Sequence, residues 1–188
     1  MTTPPAPRPR PPAAAPAPAE PPPWPGGVAD LFREVLPSVE LQAVQGVLDI
    51  LITVPREEIH RVLTVARTHP DLQFNYLRSL TGVDWGAERE VVYHLWSTTK
   101  KHNVTIKTRV PAEDPRLPSA IDIWKAADWH ERETHDMFGI VFVGHPNLVP
   151  LLLPDDFEGI HPLLRSRPLA PIDVKQGTEV VDEGEVAE

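Results

Sequence analysis

Proline placement constrains this chain more than any other feature of its sequence. Half of its 24 prolines precede Gly26, where they are interspersed with alanine, and a second set recurs at short intervals over residues 146–171. Proline lacks a backbone N–H and fixes φ, so neither stretch can supply a helix interior or a central strand. Residues 1–26 are therefore expected to be a disordered, polyproline-like tail, and a folded domain is expected at residues 27–144.

The second proline-rich segment differs from the first because it is also rich in leucine. An apolar segment without regular structure needs another surface to lie on. We predict that residues 145–172 form an extended arm that docks on a neighbouring subunit, and the alternative is an arm that folds back on its own domain. Residues 173–188 are expected to be an acidic tail.

Composition excludes several classes of function. The chain has no cysteine, which rules out disulfides, thiol catalysis and cysteine ligation of an iron–sulfur cluster by this chain. The formal charge of −9 argues against nucleic acid or an anionic lipid surface as the main partner. No apolar run approaches the length of a membrane span, so we expect a soluble chain without direct membrane insertion.

Hydrophobic periodicity between residues 28 and 143 predicts an α+β fold. Val91, Tyr93 and Leu95 alternate with polar residues, and residues 104–110 do the same, as in an antiparallel pair with one covered face. The predicted order is αββαβββααβ, with a mostly antiparallel or mixed sheet covered by helices. The predicted helices are 28–36, 56–68, a short one from Ser119 through Trp124, and 129–138; the predicted strands are 39–45, 47–54, 74–83, 90–98, 104–110 and 140–143.

The segment 129–138 is predicted to be a short helix with clear end signals. Asp128 precedes it as an N-cap and Glu131 follows three residues later, which is the capping-box arrangement. Gly139 stands where a left-handed residue ends a helix.

The charges of this helix are unusual because they fall on the side that would otherwise be apolar. Arg132 is four residues from both Asp128 and Asp136, so we expect it to be held between the two carboxylates. In this interpretation Glu131 and Glu133 face a partner. The alternative is a solvated charged helix.

This region resembles a known family signature. The run from Ala127 through Glu133, with Asp136, Gly139-Ile140, Phe142 and His145-Pro146, closely resembles the C subunit, the 30-kDa-type peripheral subunit, of proton-pumping NADH:quinone oxidoreductase, respiratory complex I. The similarity extends over about residues 28 to 169. The interface or motif positions that it implies are Trp129, Glu131, Arg132, Glu133, Asp136, Gly139, His145, Pro146, Leu148, Leu152, Pro154, Asp155, Gly159, His161 and Pro162.

The resemblance implies a structural subunit of the peripheral arm, without a cofactor or an active site of its own. Such a subunit docks onto the subunit that forms the quinone cavity and supports electron transfer from NADH to quinone coupled to proton translocation. Flavin and iron–sulfur clusters are then expected in partner subunits. The expected location is peripheral, on the cytoplasmic side of the cell membrane.

Two other functions are considered. One is the equivalent subunit of a related membrane-bound hydrogenase or ferredoxin-linked complex. The other is a stand-alone metal hydrolase, but His130 and His135 are five residues apart, so their imidazoles point about 140° apart on a helix instead of sharing a face. The chain also departs from the family pattern, with His135 where an aromatic residue is usual and Val149-Pro150 where arginine is usual. These departures suggest a divergent partner surface.

Overall fold

The structure, a computed structural model, describes residues 24–154 and 159–166. The predicted tail up to residue 23, Asp155 and the predicted acidic tail at 173–188 lie outside the described residues. The described part contains ten elements. They are α1 (Val28–Val35), β1 (Gln42–Gln45), β2 (Ile50–Thr53), α2 (Ile59–Thr68), β3 (Tyr76–Asp84), β4 (Glu88–Trp96), β5 (Asn103–Pro111), β6 (Arg116–Pro118), α3 (Ala127–Phe138) and β7 (Val141–Val143).

The main sheet has five strands in the order β1-β2-β5-β4-β3. β2 and β5 are parallel, and the other three pairings are antiparallel. β6 and β7 form a separate, parallel two-stranded sheet. The predicted α+β fold with a mixed sheet is confirmed.

One face of the sheet packs against the helices and forms the core. Ile52, Tyr93 and Ile106 on central strands are buried in one cluster with Phe32 of α1 and Leu63 of α2. These strand residues follow the period of two that the sequence shows, because successive side chains of a strand point to opposite faces. The residues between them, such as His94 and Thr105, lie on the other face.

Between β5 and α3 the structure differs from the prediction in two ways. Ser119 does not open a helix: its hydroxyl oxygen accepts the backbone N–H of Ile121 at 3.2 Å, and a single turn follows. Strand β6 was not predicted because three residues ending in Pro118 carry almost no periodic signal. It forms because a parallel neighbour, β7, supplies its partner groups.

The ends of α3 were predicted with mixed success. The helix begins at Ala127, and its N-cap, Ala126, makes no side-chain capping hydrogen bond, so the predicted capping box at Asp128 and Glu131 was wrong. Gly139 at the other end has φ 66° in the left-handed region, as predicted.

Candidate docking face of helix α3 and the arm

Helix α3 presses one side against the sheet. Its buried inner stripe includes Ala127, Glu131, Thr134 and Phe138, which recur at helical spacing. A Cβ at Gly82 of β3 would lie only 2.6 Å from the Phe138 ring, so glycine is required for this close approach. The opposite side of α3 is therefore left for the arm.

The arm is bound to that opposite side through its backbone. Arg132 donates to the carbonyl oxygens of Val149 and Pro150, both at 3.1 Å. One carboxylate oxygen of Asp136 accepts the backbone N–H of Leu151 at 2.7 Å and of Leu152 at 2.8 Å. One arginine and one aspartate thus satisfy backbone groups that a proline-interrupted segment cannot pair within itself.

The predicted ion-pair network between Asp128, Arg132 and Asp136 was therefore wrong. Exposed pairs four residues apart contribute only about 0.3–0.5 kcal/mol, whereas hydrogen bonds to charged groups contribute about 1.5–3 kcal/mol. Arg132 and Asp136 therefore stabilise the chain more by hydrogen bonding to the arm backbone than by pairing with each other. The remaining acid, Asp128, lies 3.4 Å from the imidazole of His145.

His145 fixes the start of the arm. Its side chain is fully buried, and its Nε2 lies 3.3 Å from the carbonyl oxygen of Asp128. Its Nδ1 accepts the backbone N–H of Asn147 at 3.1 Å, so Nε2 carries the proton and donates to Asp128. This arrangement joins the first turn of α3 to the chain that leaves β7.

Residues 159–166 close the other end of α3. His161 donates from Nδ1 to the carbonyl oxygen of Asp136 at 2.9 Å, and the backbone N–H of Leu163 donates to Met137 at 3.1 Å. A Cβ at Gly139 would lie 2.5 Å from the His161 ring. Carbonyl groups at the helix end, which have no partner within the helix, are satisfied in this way.

The described part of the arm thus lies along α3 of its own chain, as in the alternative of an arm that folds back. The other predicted motif positions lie on the arm, except Glu133, which lies in α3. Leu148 packs against the core, Pro162 is half-buried, and Glu133, Pro146, Leu152, Pro154 and Gly159 are exposed.

Glu131 does not face a partner, contrary to the prediction. It is fully buried, accepting the Ser119 hydroxyl at 2.5 Å and the backbone N–H of Ala120 at 2.6 Å. Burial raises the pKa of Glu131 to about 7, although these two hydrogen bonds oppose the rise. Burial, followed by the charge of Glu131, raises the pKa of the Tyr93 hydroxyl, which has no hydrogen-bond partner among the described residues.

The capping-box pattern concealed this role of Glu131. A residue three positions after an aspartate is normally assigned to the helix end, and its real partners lie 11 and 12 residues upstream. The only sequence signal for these partners is Ser119, which the local pattern predicts to be the cap of a separate helix.

Large apolar side chains remain exposed on the outer surface that α3 and the arm form together. They follow α3 from its first turn to its end and define what we call the docking face: Trp129, Val149, Leu152 and Leu163, with exposed fractions of 60%, 43%, 60% and 52%. The guanidinium group of Arg132 lies 5.2 Å from the centre of the Trp129 ring and holds it in place. Clustered exposed apolar groups are typical of protein interaction sites.

The histidines are used for structure in this region. His135 donates from Nδ1 to the carbonyl oxygen of Ile140 at 2.9 Å, and its ring lies edge-on to that of His161. Within residues 24–154 and 159–166, no three histidine or carboxylate side chains are grouped to hold a metal ion.

The fold and the site define an α+β protein in which polar side chains of α3 bind the chain's own arm. The outer surface of α3 and the arm is apolar. The sequence matches the family described as respiratory-chain NADH dehydrogenase, 30 Kd subunit, over residues 52–172. The chain belongs to this family.

Its relatives carry matching names. The C subunit of NADH-quinone oxidoreductase from Roseiflexus sp. (strain RS-1) is 42% identical over 150 residues, which cover 78% of this chain and 86% of the relative. A protein of Phocaeicola vulgatus, named as the C/D subunit of NADH-quinone oxidoreductase, is 42% identical over 149 residues, 73% of this chain but 28% of that relative.

A solved structure shares the fold. It is described as that of the membrane-bound sulfane sulfur reductase, an archaeal respiratory membrane complex, and one of its chains aligns with a TM-score of 0.65 and 27% identity. The alignment covers 86% of this chain and 95% of that one. None of the helices in the described part of our chain is both long and apolar enough to cross a membrane.

Proposed function

We propose that this chain is a non-catalytic structural subunit of the peripheral arm of NADH:quinone oxidoreductase. It carries no cofactor, and flavin and iron–sulfur clusters reside in partner subunits. The complex transfers electrons from NADH to quinone and couples the transfer to proton translocation. The chain sits peripherally on the cytoplasmic side of the cell membrane.

The observation that carries this proposal is the docking face itself. Arg132 and Asp136 of α3 bind the chain's own backbone, and the large apolar side chains left outward include Trp129, Leu152 and Leu163. A face of aromatic and aliphatic side chains on a rigid support suits a permanent protein interface.

We further propose that the partner on this face is the subunit that forms the quinone cavity. The relative named as a C/D subunit supports this choice, because its name and its length indicate a C-like part joined to a second part in one chain. Two proteins that occur fused in one organism are commonly direct neighbours when they are separate. The fusion therefore favours direct contact between this chain and a separate protein that corresponds to the second part.

A second candidate is the equivalent subunit of a respiratory membrane complex that does not oxidise NADH. The likeness to a chain of the sulfane sulfur reductase complex supports it. Relatives at 42% identity named for NADH:quinone oxidoreductase favour the first candidate.

Co-purification separates the two candidates. An affinity-tagged chain is recovered from gently solubilised membranes, and the bound subunits are identified by mass spectrometry. The proposal expects a flavin-containing subunit and NADH oxidation in the eluate, with no flavin or iron–sulfur absorbance in the isolated chain. An eluate of respiratory subunits lacking the flavin subunit would support the second candidate instead.

A further inference from the structure

The sheet face that points away from the core contains a polar groove. Asp49 before β2, Asn103 on β5, His94 on β4 and Ser79 on β3 lie on adjacent strands. Together with Leu48 and Arg78 they line a volume of about 620 Å³, which we call the sheet groove. Its four strands are separated by three intervals of about 4.8 Å, so the groove is about 14 Å long.

One end of the groove is an apolar hairpin tip. Val47 and Leu48, between β1 and β2, are 101% and 88% exposed. The tip is a defined turn, since the backbone N–H of Gly46 donates to Asp49 at 3.0 Å and a Cβ on Gly46 would lie 2.5 Å from the Asp49 carbonyl oxygen. The turn therefore presents two aliphatic side chains, Val47 and Leu48, to solvent.

The other end of the groove is a cation placed by a β-bulge. Leu77 pairs with Leu95 and Ser79 pairs with His94, so Arg78 is an extra residue in β3. Bulges redirect side chains and are common beside functional sites. Arg78 is exposed and makes no salt bridge among the described residues, whereas Arg109 on the same sheet face pairs with Glu88 and Glu90.

The floor between these ends is already hydrogen-bonded. Asp49 accepts from the Asn103 amide and from the Thr105 hydroxyl, which also contacts His94 at 3.0 Å. Burial lowers the pKa of His94, and the charges of Arg78 and Lys107 lower it further, while Asp49 opposes the change. The Asp49 carboxylate keeps its charge, but its two oxygens are engaged by Asn103 and Thr105. At the other end of the groove the exposed charge is that of Arg78, which is positive.

We propose that the sheet groove is a second docking site, which binds an acidic peptide segment of another subunit of the same complex. A carboxylate of that segment pairs with Arg78, and an apolar side chain about four residues further along the extended segment packs on Leu48 at the other end. This inference rests on the proposed function, because it takes the partner from the same assembly. The groove lies on the opposite face of the sheet from α3, so it contacts a different surface from the docking face.

Photocrosslinking at two positions tests the proposal. The crosslinking residue p-benzoyl-phenylalanine replaces Leu48 in one variant and Trp129 in a second, and the complex is irradiated before purification from membranes. We expect position 48 to link to another subunit at a peptide that contains Asp or Glu. A link to a second copy of this chain, to lipid or to a segment without acidic residues overturns the proposal.

The Trp129 variant distinguishes the two proposals. Links at position 129 without any at position 48 overturn the sheet groove and leave the proposed function standing. Absence of links at both positions contradicts the proposed function and the groove with it.

Charge reversal gives an independent test with a matched control. Arg78→Glu places a like charge against the acidic segment, and Arg67→Glu makes the same change at the exposed end of α2. R78E should melt like the wild type because Arg78 is exposed, and R67E should lose no more than about 1 kcal/mol, since an acid replaces a base in the last turn of α2. We expect the R78E protein to be lost from immobilised complex at least about tenfold faster than R67E. Equal rates for the two variants overturn the proposal.

Discussion

Asp136 binds Leu151 through a carboxylate oxygen that lies 2.7 Å from the leucine backbone nitrogen, 15 residues further along the chain. The same oxygen accepts the N–H of Leu152 at 2.8 Å. A charge that the sequence assigned to an intrahelical ion pair thus folds the arm onto α3. The position of Leu152 on the docking face depends on this contact.

Replacing Asp136 by Asn should loosen the arm without unfolding the sheet. The amide keeps one acceptor oxygen but loses the charge, so we expect a loss of about 1–3 kcal/mol in the free energy of unfolding. Urea denaturation measures the loss, and limited proteolysis should show earlier cleavage within residues 148–154. Glu133→Gln, an exposed neutralisation on the same helix, is the control and should change neither reading.

Replacing Arg132 by Ala should remove both bonds to the arm carbonyls and the contact with Trp129. Because the side chain is partly exposed, the expected loss of stability is about 1 kcal/mol, below the roughly 3–5 kcal/mol of a broken buried ion pair. Arg132→Lys retains the charge but not the planar geometry that reaches two carbonyl oxygens. Its stability should therefore fall between those of the wild type and R132A. A loss near 4 kcal/mol for R132A would indicate a buried pair that the structure does not contain.

Replacing Glu131 by Gln should change how stability depends on pH. The pKa of Glu131 is raised from 4.5 to about 7, so between these values the folded chain binds more protons than the unfolded chain. The contribution of Glu131 to the free energy of unfolding is therefore fully present below pH 4.5. It is lost as pH rises through 7, and the total loss is about 3 kcal/mol.

Urea unfolding at pH 5, 6, 7 and 8 measures this effect. E131Q should gain stability relative to wild type as pH rises across the series. Identical slopes for wild type and E131Q would mean that the Glu131 carboxyl titrates as it does in water.

Replacing Gly139 by Ala should destabilise the chain more than the same change at Gly144. Both glycines have positive φ, 66° and 87°, so alanine is strained at each by about 1–2 kcal/mol. Only at Gly139 does the added carbon meet another group, the His161 ring at 2.5 Å. We expect G139A to cost about 1–3 kcal/mol more than G144A in thermal unfolding. Equal costs would show that His161 moves aside freely.

The regular part of the fold follows from local sequence patterns. Alternation in β4 and β5 and helical spacing in α2 reflect burial on one face, which a single sequence displays directly. The left-handed end of α3 at Gly139 is also predictable from local sequence, because glycine adopts a positive φ without a steric penalty.

The site was only partly predictable, because its contacts join residues that are distant in sequence. Arg132 finds its acceptors 17 and 18 residues away, on an arm whose path no periodicity specifies. Glu131 finds Ser119 across a turn that resembled a helix start. The charged residues were recognised as unusual, but their partners depend on how the arm packs.

We propose that the docking face attaches this chain to the quinone-cavity subunit. Trp129→Ser combined with Leu152→Ser removes two exposed apolar groups from this face, and Val143→Ser removes one of similar exposure, 56%, at the edge strand β7. The measurement is the amount of partner protein recovered with each tagged variant, alongside thermal melts of the free chains. We predict that the double variant stays folded with a loss of about 1 kcal/mol, from the lost contact between Arg132 and Trp129. We also predict wild-type recovery for V143S and at least about tenfold lower recovery for the double variant. Full recovery of the partner by the folded double variant would show that the docking face is not where this partner binds.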